Sequence, residues 1–114
     1  MFKDQLIRNP KNKKINYFPI NDKYSLSIQA GANGTFSIPR NKILPPNKYK
    51  AYEVIIYENK KWTNVHTNFI LSNFSWASYF CNCSDKYSLF DPCVGAYVPD
   101  TVIETIIEDL RKIK

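Results

Sequence analysis

The sequence predicts an α+β protein: an antiparallel sheet of about five to six strands packed against one C-terminal amphipathic helix. Three observations point there. Residues 24–30 alternate apolar and polar side chains with period two, as a half-buried strand does. Residues 50–58 are dense in β-branched and aromatic side chains, which suit a strand buried on both faces. After Pro99, apolar residues recur at spacings of three and four and form a single helical stripe.

A chain of 114 residues has material for one core and no room for a second. That excludes an enzyme built from separate cofactor and substrate domains. With 15% aromatic residues there is enough large apolar surface to argue against disorder over most of the length. Residues 1–22 are polar, basic and interrupted by Pro10 and Pro19, so they are expected to form a basic arm. The first dozen residues of that arm are expected to be mobile, and Tyr17-Phe18-Pro19-Ile20 to dock on the body. Residues 23–114 then make the single α+β domain.

The first strand places Tyr24, Leu26, Ile28 and Ala30 on one face and Ser25, Ser27 and Gln29 on the other. Gly31-Ala32-Asn33-Gly34 follows as a hairpin turn, with Thr35 to Ile38 returning as a second strand that Pro39 stops. Arg40 to Tyr49, with Pro45-Pro46, is a long exposed connection. Lys50 to Glu58 is the central strand. A polar turn at residues 58–61 leads to Trp62–Leu71 as its antiparallel partner, and Ser72–Phe80 is assigned to a further strand. A loop from Asn82 to Pro92 precedes a short apolar strand, Cys93 to Val98. The terminal helix is to be capped by Asp100, with Val102, Ile103, Ile106, Ile107, Leu110 and Ile113 as its stripe and Arg111, Lys112 and Lys114 favoured by the dipole at its end.

The net charge of +6 is unevenly placed. Residues 1–61 hold 12 Lys/Arg and 4 Asp/Glu, a net +8, whereas residues 62–114 hold 4 and 6, a net −2. A cationic first half suits a polyanion or an acidic protein surface. The candidate partner-binding residues are Lys11, Lys13, Lys14, Arg40, Lys42, Lys48, Lys50, Lys60 and Lys61. Aromatic residues recur beside these cations, at Tyr17-Phe18, Phe36, Tyr49, Tyr52 and Trp62, as in single-stranded nucleic-acid sites. The plainer reading is a core flanked by solubilising lysines.

Catalytic chemistry is thin. His66 is the one histidine, and no nucleophile or orienting carboxylate is placed beside it by a motif. Glu53 and Glu58 lie an odd number of residues apart on one strand, hence on opposite faces. Glycines at 31, 34 and 95 make no phosphate loop, so nucleotide hydrolysis is not expected, and no cofactor is assigned. Cys81, Cys83 and Cys93 admit three readings: zinc with His66 as fourth ligand, a disulfide from Cys93 to one partner, or unmodified thiols. The single residue between Cys81 and Cys83 is shorter than the usual zinc spacing, and no metal is assigned. No run approaches the roughly 20 apolar residues that span a bilayer, and Met1 to Leu6 lacks the apolar region of a signal peptide, so no membrane partner and a cytoplasmic location are expected.

The runs Ser27-Ile28-Gln29-Ala30, Ser37-Ile38-Pro39-Arg40, Tyr52-Glu53-Val54 and Val94-Gly95-Ala96-Tyr97-Val98-Pro99 resemble a loose group of small phage and mobile-element proteins. The resemblance covers about residues 24–57 and 94–113. It implies action by binding, with anti-CRISPR and other anti-defence inhibitors as the prominent class. Many of those inhibitors are acidic mimics of nucleic acid, and this chain departs from them in being basic. The expectation is a non-enzymatic inhibitor of a host nucleoprotein defence complex, acting in the host cytoplasm on guide RNA or an acidic patch of the effector protein. The alternative is a basic RNA- or DNA-binding module acting on its own.

Overall fold

A computed structural model describes residues 1–32, 35–80 and 93–113. Its framework is an antiparallel sheet of five strands and one α-helix: β1 (Phe18–Pro19), β2 (Tyr24–Gln29), β3 (Ala51–Glu58), β4 (Lys61–Trp62), β5 (Gly95–Pro99) and α1 (Asp100–Lys112). The expected α+β class is what the chain adopts. β3 is central. One of its edges pairs with β2 along six residues, from Tyr24↔Glu58 to Gln29↔Glu53, and its other edge is shared between β5 and β4.

Period two divides this sheet into two faces. Tyr24, Leu26 and Ile28 of β2 and Tyr52, Val54 and Ile56 of β3 are buried on the core face. The stripe expected on α1 supplies the other layer, with Ile103, Ile106, Ile107 and Leu110 buried in the same core and Val102 and Ile113 packed at its margin. Asp100 does not cap the helix. Pro99 occupies the cap position and Asp100 is the first helical residue, its N–H donating to the Lys50 carbonyl (3.2 Å) and its carboxylate meeting Lys3 Nζ (3.0 Å). Among the described residues no helix is long and apolar enough to cross a membrane.

The first dozen residues do not stand off as a mobile arm. Phe2 to Gln5 form a 3₁₀ turn, and Phe2, Leu6 and Ile15 are core residues together with Phe18. The Phe2 ring meets Phe18 and Tyr52 edge-on at 6.4 and 5.8 Å. Burying a phenylalanine contributes about 1.5–3 kcal/mol, enough to hold a segment that its lysines made look solvated. Two of those cations are structural. Lys3 is the ion-pair partner of Asp100, and Phe2 N–H donates to Glu104 Oε1 (2.9 Å), so the segment is fastened to α1. The Arg8 guanidinium reaches inward and donates to the carbonyls of Lys13 (2.7 Å), Ala30 (3.1 Å) and Leu44 (3.1 Å) and to the Tyr49 hydroxyl (3.3 Å).

Two expected strands are not formed, and a third is reduced to a two-residue pairing. Residues 35–38 do not pair with β2, because β1 and β3 occupy its edges; Ile38 instead makes an isolated bridge to Ala51. The expected turn at Asn33-Gly34 lies outside the described residues. At Gly31, φ is +83°, and a Cβ there would collide with the Tyr49 hydroxyl and the Lys42 carbonyl, so glycine is required. Of the expected partner strand Trp62–Leu71, only Lys61–Trp62 pairs with β3. Asn64 and Asn68 then bend the chain, their side-chain oxygens accepting the N–H groups of His66 (3.0 Å), Ile70 (3.0 Å) and Leu71 (2.9 Å) in place of ladder bonds. Residues 72–80 are helical in character, with 3₁₀ turns at Leu71–Asn73 and Ser75–Tyr79. Trp76, Ala77 and Phe80 are buried there, and Trp76 Nε1 donates to Asp109 Oδ2 on α1 (2.9 Å). The expected loop 82–92 lies outside the described residues.

Two outcomes test this packing. Ile106→Ala and Leu110→Ala are each expected to cost about 2–5 kcal/mol in denaturant unfolding, against no more than about 0.5 kcal/mol for the exposed Glu108→Ala. Arg8→Ala is expected to cost roughly 2–3 kcal/mol, because it leaves the Ala30 and Leu44 carbonyls without their donor; a loss below about 0.5 kcal/mol would mean that water replaces the guanidinium freely.

Candidate binding groove on the open sheet face

The face of the sheet opposite the core is not covered by a second helix among the described residues. Ser27 and Gln29 of β2 and Glu53, Ile55 and Tyr57 of β3 form the floor of a groove of about 600 Å³. Register places Gln29 opposite Glu53 and Ser27 opposite Ile55, so the floor is two strands wide. Asn12 and residues 14–17 form one wall and Ala32 and Thr35 contribute the other.

The first wall is held in place by its own backbone and by two side chains. Asn9 N–H donates to the Lys14 carbonyl (2.7 Å) and Lys13 N–H to the Asn9 carbonyl (2.9 Å), which closes residues 9–14 into a tight hairpin loop with Lys13 at φ 64°. Arg8 grips the Lys13 carbonyl at its base. Gln29 reaches out from β2 and pairs with Ile15 as another strand would. Its Oε1 accepts the Ile15 N–H (2.8 Å) while its Nε2 donates to the Ile15 carbonyl (2.7 Å). The loop therefore presents Lys11, Lys13 and Lys14 to solvent from a fixed frame.

At the far end Tyr17 lies edge-on to Tyr57 at 5.1 Å, and Tyr17 remains 62% exposed. Burial, followed by the hydrogen bond with Tyr17, pushes the Tyr57 hydroxyl up to about 12, so it is protonated at neutral pH. Trp62 is opposite Tyr57 on β4 and shares its face. At the near end Phe36 and Tyr97 form a half-exposed aromatic ledge with centroids 5.8 Å apart, and the Arg40 guanidinium lies 4.9 Å from the Phe36 centroid. Burial raises the Glu53 carboxyl above its ordinary range, while the Phe36 N–H and the charge of Arg40 pull it partly back.

Of the nine candidate cations, all exposed, Lys14 lines the groove itself. Lys11 and Lys13 share its loop, and Arg40 stands at the Glu53 end. Lys60 lies in the turn beyond Tyr57, where Asn59 and Lys60 both adopt positive φ, and Lys61 opens β4. Lys42, Lys48 and Lys50 lie on the connection between β2 and β3 and do not line the groove. The aromatic residues flanking the cations divide: Phe18, Tyr49 and Tyr52 are core, Tyr17 and Phe36 are exposed, and Trp62 is half-buried.

No family model, curated protein or solved structure matches this chain. Its chemistry is therefore read from its own residues.

His66 is held by structure. Its Nε2 lies 2.7 Å from the Phe80 carbonyl, which can only accept, so that nitrogen carries the hydrogen and ties the two loops together. Glu58 faces away from Glu53 and accepts the Tyr24 hydroxyl (2.8 Å). Cys93 is fully buried, whereas Cys81 and Cys83, and with them the zinc and disulfide readings, lie outside the described residues. Among the described residues no three His, Cys, Asp or Glu side chains gather as metal ligands.

The sequence pattern missed the floor. Alternation alone placed residues 25, 27 and 29 on the polar face of their strand, and it equally aligns 53, 55 and 57. The signal available was that Ile55 and Tyr57 are too apolar for a plain solvent face.

Because the folded Glu53 carboxyl holds its proton more tightly than the unfolded chain does, its contribution favours folding below the ordinary glutamate range and is lost as pH rises through the folded value. Glu53→Gln is thus expected to raise the unfolding midpoint at pH 7, by no more than about 1 kcal/mol at this half-exposed site, and to match the wild type below about pH 4. A wild type more stable than Glu53→Gln at pH 7 would show that Arg40 and the Phe36 N–H outweigh desolvation.

Proposed function

We propose that the protein acts by stoichiometric binding, with the open sheet face as its binding surface and single-stranded RNA as what it holds. The observation that carries this is the pair Tyr17 and Tyr57 on the groove, next to a rigid loop that presents Lys11, Lys13 and Lys14. Every base has a π-face, so an exposed aromatic platform binds single strands with little regard to sequence, and lysines beside it neutralise phosphates. A duplex offers its bases only at their edges, and a shallow two-strand groove has no helix to insert into it. The uneven charge, +8 over residues 1–61, supports the same partner.

The resemblance to phage anti-defence proteins supplies the setting. In that setting the bound strand is the guide RNA of a host nucleoprotein effector, and occupation of it inhibits the complex in the host cytoplasm. A basic sheet face suits this role better than nucleic-acid mimicry, which needs acidic side chains.

Binding of a labelled single-stranded RNA, titrated with salt, checks the reading. Tyr17→Ala is expected to weaken affinity between about fivefold and a hundredfold, the range for loss of one stacked base. Replacing Lys11, Lys13 and Lys14 together by Ala is expected to leave the fold intact and to flatten the slope of log affinity against log salt by about 2, at roughly 0.7 per phosphate on a single strand. An affinity that neither salt nor these substitutions alters would sink the proposal.

A further inference from the structure

The edge of the groove at Glu53 is built unlike the rest of the sheet. Tyr52 pairs with Val98 and Val54 with Gly95, so two residues of β5, Ala96 and Tyr97, lie against the single Glu53 and form a β-bulge. Such a bulge re-aims a side chain. Tyr97 adopts φ 53°, a left-handed conformation that a bulky residue rarely takes, and its ring packs on Phe36 with centroids 5.8 Å apart. Both rings stay open to solvent, Phe36 at 38% and Tyr97 at 40%. The backbone of Phe36 is fixed from two sides, its N–H donating to the Glu53 carboxylate and its carbonyl accepting the Tyr97 N–H (3.0 Å). The Arg40 guanidinium, 4.9 Å from the Phe36 centroid, adds a positive charge to the pair. Backbone strain that neighbouring bonds hold in place collects where a fold grips a ligand, and here it keeps two aromatic rings at the surface.

Resting on the RNA reading above, we propose that Phe36 and Tyr97 form a second base-stacking platform, and that one RNA strand of about five nucleotides runs along β3 from Tyr17 and Tyr57 to this ledge. The length follows from the sheet. Tyr57 and Glu53 are four residues apart on β3, about 13 Å at roughly 3.3 Å per residue. That distance is close to four base-stacking steps of about 3.4 Å, so a strand needs about five nucleotides to reach both platforms. A dinucleotide reaches only one. Charge suits the same path, since Lys14 stands on the groove wall and Arg40 beside the ledge, each placed to meet phosphate. The one carboxylate on the floor, Glu53, accepts the Phe36 N–H and lies in the field of Arg40, which moderates its repulsion of the backbone. Stacking on either platform is indifferent to base identity, so what the pair measures is length.

Affinities of oligo(U) RNA of two, six and ten nucleotides at one fixed salt concentration test this, the dinucleotide by NMR titration and the longer RNAs by fluorescence anisotropy. Wild type is expected to bind the six-nucleotide RNA at least tenfold more tightly than the dinucleotide, and the ten-nucleotide RNA no more than about threefold more tightly again, as further registers become available. Tyr97→Gly removes the ring, and glycine adopts the left-handed backbone there without strain. It is expected to weaken the six-nucleotide RNA between about fivefold and a hundredfold and to leave the dinucleotide within about twofold of wild type. Phe36→Leu, which keeps the apolar bulk without the π-face, is expected to act in the same direction, and Tyr97→Phe to retain wild-type binding. Tyr17→Ala is expected to weaken both lengths. If Tyr97→Gly and Phe36→Leu leave the six-nucleotide RNA unchanged while Tyr17→Ala weakens it, this inference is overturned and the RNA reading stands. Dimerisation of the wild type in sedimentation, abolished by Tyr97→Gly, would assign the ledge to a second copy of the chain and overturn it as well. Failure of every length to bind the wild type overturns both.

Discussion

Both edges of β3 are hydrogen-bonded, to β2 on one side and to β5 and β4 on the other. A strand in that position has only its two faces left for side-chain contacts. Eight residues with strict alternation then commit Tyr52, Val54 and Ile56 to the core and Glu53, Ile55 and Tyr57 to the opposite side, and a slip of one residue would exchange the two sets. The α1 layer, the aromatic contacts of Phe2 and the groove floor all follow from that register. The same strand thus builds the core and the candidate site, with no residue serving both.

The second constraint is that the N-terminal segment has to satisfy a guanidinium inside the fold. Arg8 has no carboxylate partner among the contacts it makes; carbonyl oxygens and a tyrosine hydroxyl surround it. Neutral acceptors stabilise a cation less than an anion does, yet they impose geometry, because each comes from a different part of the chain. The hairpin loop, the end of β2 and the connection before β3 are drawn together at one point. Tyr49 strengthens the junction by donating to the Lys42 carbonyl (2.6 Å) and accepting the Leu44 N–H (2.8 Å).

Periodicity was legible wherever one side chain in two, or one in three to four, faces the same environment. Residues 24–29 and 100–112 satisfy that condition, and their strand or helix character and core faces could be read in advance; for residues 51–58 the strand was legible but not its core face, because Val54 to Tyr57 is apolar on both sides. It was not legible where side chains bond to backbone. Asn64 and Asn68 divert the chain with local bonds that a hydropathy pattern does not register, and the spacing of Trp76, Ala77 and Phe80 fits a tight helix as well as a broken strand. Charge misled at Lys3 and Arg8, because a cation count does not distinguish a side chain in solvent from one that finds an acceptor inside. The rim of the site was visible as lysines beside aromatic residues. Its floor was not, since a groove depends on which strand lies beside β3, and that is a long-range fact.

The doubly bonded amide of Gln29 has a kinetic meaning. A basic loop hinged at one end would sample many orientations, and a polyanion would have to arrest it on arrival. With Arg8 at one end and Gln29 at the other, the loop's ordering is completed during folding, so little of the association free energy is lost to freezing it. For the single-stranded RNA proposed above, encounter would then be governed by the field of three lysines and residence by the aromatic floor, so that ionic strength and base stacking would act on separate rate constants, arrival and departure.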